Sequence, residues 1–66
     1  MDTKTITLLW MDDREEIYPD ATTNVMNGVL HIHQYDEKTL KQVAAWHWSL
    51  SNIRGWYPAG QKPPFS

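Results

Sequence analysis

Asn27-Gly28 is the dipeptide that most narrows what this chain can fold into. It stands between two runs that alternate apolar and polar residues, "TNVM" before it and "VLHIHQY" after it. Both residues tolerate positive φ, which a two-residue type I′ hairpin turn demands at its two central positions. The pattern predicts strands over residues 23–26 and 29–35, joined tightly and antiparallel.

The rest of the chain extends this hairpin. Residues 5–11, "TITLLWM", alternate with Ile6, Leu8 and Trp10 on one side, the period-two signature of a half-buried strand. "MDDR" at 11–14 is a turn signal, because aspartate carboxylates bond to nearby backbone N–H groups. Residues 15–18 read as the returning strand, and "YPDA" at 18–21 reads as a second turn set by Pro19. "DEKT" at 36–39 reverses the chain again. Residues 40–48 fit both periods: Leu40, Val43, Ala44 and Trp48 are spaced for a helix, yet the preceding hairpin leaves an edge that favours a strand, which is the reading adopted. "SLSNI" suggests one 3₁₀ turn, and "RGWY" a last short strand. The expectation is an all-β domain over residues 1–57, a small antiparallel meander of five to six short strands or an SH3-like partly closed barrel, with a flexible proline-rich tail at 58–66.

Size matters next. A chain of 66 residues has a small core, and it contains no cysteine, so neither disulfides nor thiolate zinc sites reinforce it. Four tryptophans are the compensating resource. No basic start leads into a long apolar run, so the reading is a cytoplasmic chain with no membrane span. The net charge is −2 and the six Lys and Arg are scattered, which disfavours nucleic acid as a partner.

Site residues depend on how residues 29–35 pair with 40–48. Crossing a turn at 36–39, the simplest register sets His33 opposite Gln42, His31 opposite Ala44 and Val29 opposite Trp46. One face then carries Leu30, Ile32, Val43 and Ala45 as core, with His47 towards its end. The other carries Val29, His31, His33, Tyr35, Trp46 and Trp48, an amphipathic aromatic surface suited to a protein partner or a second copy of the chain. In that register His31 and His33 share a face but His47 points away, so no metal site is expected, and no cofactor. "DDREE" clusters four carboxylates at a turn and reads as solvated. Enzyme motifs such as GxSxG, a P-loop or HExxH do not occur, so no catalytic residues are expected.

The stretches "DDREEIYPDATTNVMNGVLHIHQYD" and "WSLSNIRGWYP" resemble small uncharacterised proteins of bacteriophages infecting actinobacteria. The shared features are a D-x-R-E turn at Asp12, YP-x-A at Tyr18, a hairpin at "NGVLHI" and "LSNIRGW", together covering about residues 5–58. The resemblance implies a phage origin and action in the host cytoplasm, and carries no activity with it. The leading functional expectation is a non-enzymatic protein-interaction module that forms a homodimer or higher oligomer. The alternative is single-stranded nucleic-acid binding by stacking bases on the same aromatics. A third reading is a metal-dependent enzyme using His31 and His33.

Overall fold

The computed structural model describes residues 3–60. Among these residues five strands form one antiparallel sheet: β1 (Lys4–Trp10), β2 (Glu15–Met26), β3 (Val29–Tyr35), β4 (Gln42–Ser49) and β5 (Ile53–Pro58), with one 3₁₀ turn at Leu50–Asn52. The spatial order is β4-β3-β2-β1-β5. Only β5 departs from a simple meander, returning to pair with β1. The sheet is open, with β4 and β5 as its edges, so the barrel alternative is not realised. Of the tail expected at 58–66, Pro58 belongs to β5, and residues 61–66 lie outside the described residues.

The Asn27-Gly28 turn forms as its residues dictate. Both have positive φ, 52° and 74°, and Met26 pairs with Val29 across it. The expected "YPDA" turn does not form. β2 runs unbroken for 12 residues through Pro19 and Asp20. Its register against β1 slips by one between Ile6↔Tyr18 and Lys4↔Ala21, and Asp20 adopts φ 50°. The proline signal there marks a β-bulge, where a missing N–H breaks no ladder bond and the strand bends. The first half of β2 serves β1 and the second half serves β3. A second slip, between Leu9↔Gly55 and Trp10↔Ile53, leaves Arg54 as the extra residue.

These irregularities curl the sheet round its own concave face. Ile6, Leu8, Trp10, Tyr18, Ala21, Leu30, Ile32 and Ile53 form the core, with Trp48, Leu50 and Trp56 packed against it. Trp10 and Trp48 meet edge-to-face at 4.9 Å although β2 and β3 lie between their strands. Such a contact adds about 0.5–1.5 kcal/mol to its apolar burial. Leu8, Leu30 and Ile32 are fully buried, each stabilising the fold by about 1.5–3 kcal/mol.

Two expected core residues are not in the core. Val43 is 65% exposed, and Ala45 is exposed as well. The cause is the β3–β4 register. The loop spans residues 36–41 rather than 36–39: Asp36 N donates to Lys41 O, and Leu40, at φ 60°, donates to Asp36 O. The wider loop shifts the pairing by two, which keeps each side chain on its expected face. The pairing then slips by one more, from Tyr35↔Gln42 to Gln34↔Ala44, with Val43 unmatched. A one-residue slip exchanges the faces of everything beyond it. Trp46 and Trp48 therefore stand opposite Ile32 and Leu30 on the core side, and His47 stands opposite His31 on the other.

Candidate functional site

The surface expected from Val29, His31, His33, Tyr35, Trp46 and Trp48 does not exist as one face. The Val43 bulge divides it. Val29, His31, His33 and Tyr35 remain together on the convex side, while Trp46 and Trp48 turn to the concave side. His47, expected on the opposite face from the other histidines, joins them.

The convex side thus gathers all three histidines of the chain. His31 and His33 are two apart on β3 and project the same way; His47 comes from β4. The His31 and His47 rings lie edge-to-face with centroids 4.6 Å apart. One ring nitrogen from each of the three residues falls within 4.8 Å of the others. His31 and His33 are half-buried and His47 is exposed. On β2, Asn24 stands opposite His31 and Thr22 opposite His33.

The concave side holds an aromatic network centred on Glu16. Its carboxylate accepts the Trp10 indole N–H and the Tyr18 hydroxyl, each at 2.8 Å. Burial pushes the Tyr18 hydroxyl up to about 12, and the Glu16 carboxylate beside it acts in the same direction; the Trp48 indole acts against them. The Trp48 N–H lies near that hydroxyl, yet among the described residues it meets no acceptor at hydrogen-bonding geometry. Trp46 stacks on Trp48 at 6.2 Å with ring planes 8° apart, and its N–H donates to Gln34 Oε1 at 2.8 Å. Gln34 in turn donates to Pro19 O, tying the rim of the sheet to the β2 bulge.

Beside this network lies a shallow groove lined by Trp10, Met11, Asp12, Arg14, Trp48 and Ser51. Its acidic group is already engaged: Asp12 accepts the Arg14 backbone N–H at 3.1 Å and its Nε–H at 2.7 Å, and these bonds hold the carboxyl below its usual range. Arg14 also covers the Trp10 ring at 5.6 Å. The turn expected at 11–14 forms, while Glu15 and Glu16 open β2, and Glu16 holds the aromatic network together.

The two sheet edges differ. β4, "QVAAWHWS", carries no Lys, Arg, Asp, Glu or Pro and exposes Val43 and Trp46, the latter by 39%. β5 is shorter, bulged at Arg54 and ended by Pro58. Among the described residues no helix is long and apolar enough to cross a membrane. No protein-family model matches the chain, and no curated protein or solved structure is significantly similar to it.

Proposed function

We propose that the chain is a non-enzymatic protein-interaction module that pairs through β4, and that its first partner is a second copy of itself. The observation that carries this reading is the undefended β4 edge. Soluble proteins blunt exposed edges with lysine, proline, bulges or brevity. β5 uses three of these devices: Arg54 at a bulge, Pro58 and a length of six residues. β4 has its bulge at the Val43 end and then six residues, 44–49, without a charged side chain or a proline. A twofold axis sets a strand against itself, so a strand without lysine or carboxylates meets no like-charge repulsion. Exposed Leu40, Val43 and Trp46 supply apolar cover along that edge. The likeness to phage proteins adds a setting for this reading, a phage accessory protein acting in the host cytoplasm.

The nucleic-acid alternative gains nothing from the aromatics. Trp48 is packed against Trp10, and Trp46 is stacked on Trp48, so the two do not form an open platform for bases.

Sedimentation over a range of concentrations tests the proposal. The expected result is a monomer–dimer equilibrium, with a melting temperature that rises with protein concentration. Val43→Lys, at an exposed position, is expected to give a folded monomer. A wild-type chain that stays monomeric throughout overturns pairing through β4.

A further inference from the structure

We infer that His31, His33 and His47 form a binding site for one divalent transition-metal ion of the zinc class. Three imidazole nitrogens converge on the convex face within 4.8 Å of one another. Around a tetrahedral zinc, with bonds of about 2.0–2.1 Å, ligand atoms sit about 3.3 Å apart. The rings therefore need to close by about 1.5 Å or less, which small χ rotations supply, chiefly at the exposed His47. The backbone needs no change, because two ligands share a strand at i and i+2 and the third lies directly across the ladder.

The donor set selects the ion. Three neutral imidazoles suit zinc, copper(II) and nickel(II), whereas magnesium and calcium require oxygen donors, and none belongs to this group. Three protein ligands leave the fourth position open to water or an external donor. Asn24 and Thr22 occupy the β2 positions beside His31 and His33, and are polar groups of the kind that orient metal-bound imidazoles through the second ring nitrogen. Half-burial of His31 and His33 restricts both rings before any ion arrives. The site lies on the opposite face from the Trp10–Glu16–Tyr18 network and does not depend on pairing through β4.

The test uses the full chain, stripped with a chelator and titrated with Co²⁺ alone and then with Zn²⁺. The expected result is one ion per chain, visible d–d bands of tetrahedral Co²⁺, displacement of Co²⁺ by Zn²⁺, and a melting temperature that rises with free metal. His47→Gln, at an exposed position, and His33→Gln are each expected to weaken binding more than tenfold while the circular dichroism stays native. Two results overturn the site: no saturable Co²⁺ or Zn²⁺ binding by the wild-type chain, or binding that His47→Gln and His33→Gln leave unchanged. The wild-type titration decides the matter even where a variant fails to fold.

Discussion

His31 on β3 stands directly opposite His47 on β4, with their ring centroids 4.6 Å apart. That pairing follows from one unmatched residue. Were Val43 paired in the ladder opposite Gln34, His47 would lie on the concave side and Trp46 and Trp48 on the convex side. A single bulge thus gathers the histidines and completes the core at once.

Two changes of chain length test that dependence. Val43 is 65% exposed, so its own side chain contributes little, and Val43→Thr is expected to be close to neutral. Deleting Val43 sets Gln42 next to Ala44, so Tyr35↔Gln42 and Gln34↔Ala44 follow one another without a slip and Trp46, His47 and Trp48 keep their faces; a folded chain with native tryptophan emission is expected. One alanine inserted between Ala44 and Ala45 instead exchanges the faces beyond it and should expel Trp48 from its contact with Trp10, a loss comparable to removing a core tryptophan, about 3–5 kcal/mol. In a domain of this size that is most of the net stability. Red-shifted emission and a lost thermal transition are the expected readouts for the insertion, and native behaviour of the insertion would mean that the pairing beyond Val43 is not what holds Trp48 inside.

Glu16 should matter more than its exposure and its place beside an acidic turn suggest. Its carboxylate is the acceptor for both Trp10 and Tyr18. Glu16→Ala leaves these donors to find water, and a hydrogen bond to a charged group is worth about 1.5–3 kcal/mol. Because Glu16 itself is exposed, the lower end of that range is expected. Urea denaturation of Glu16→Ala against Glu15→Ala separates the two neighbours: only the first should shift the midpoint.

The pH dependence at the alkaline end follows from Tyr18. Burial, aided by Glu16, raises its hydroxyl to about 12, above the ordinary tyrosine value of about 10. The unfolded chain therefore loses this proton before the folded one does. The contribution is intact below about pH 10 and declines as pH rises towards 12. Tyr18→Phe should flatten that part of the stability profile. Absorbance titration of the folded protein should show one of its three tyrosines ionising well after an ordinary phenol.

Much of the architecture was legible in the residues because it is local. Asn27-Gly28 announced its hairpin, the Ile6–Leu8–Trp10 alternation announced a core strand, and "SLSN" its 3₁₀ turn. The three bulges were not legible, and two of them decide which side chains face the core. Pro19 reads as a turn residue until a partner strand shows it inside β2, and nothing about Val43 marks it as unmatched. Register across the 36–41 loop depends on Asp36, whose Oδ1 accepts the Lys38 and Thr39 backbone N–H groups and builds a wider loop than four residues would. An alternative reading was available in the histidines themselves: a register shifted by one places all three on one face and both tryptophans against Leu30 and Ile32. Weighing the burial of two tryptophans against that of Val43 and Ala45 would have favoured it.

The hairpin that most constrains the fold offers a test that separates backbone strain from packing. Gly28 has φ 74°, and a Cβ built there meets no atom within 4 Å. Any cost of Gly28→Ala is therefore conformational, about 1–2 kcal/mol for holding an L-residue in the left-handed region. The mirror-image residue has the opposite preference. D-alanine introduced at position 28 by chemical synthesis favours the positive φ found there, and should stabilise the fold by about 0.4–1 kcal/mol through the reduced freedom of the unfolded chain. Denaturation midpoints should rank D-alanine above glycine and glycine above L-alanine. If both alanines destabilise alike, the turn is limited by contacts around Gly28, and the left-handed geometry at Asn27-Gly28 is not what holds β2 and β3 in register.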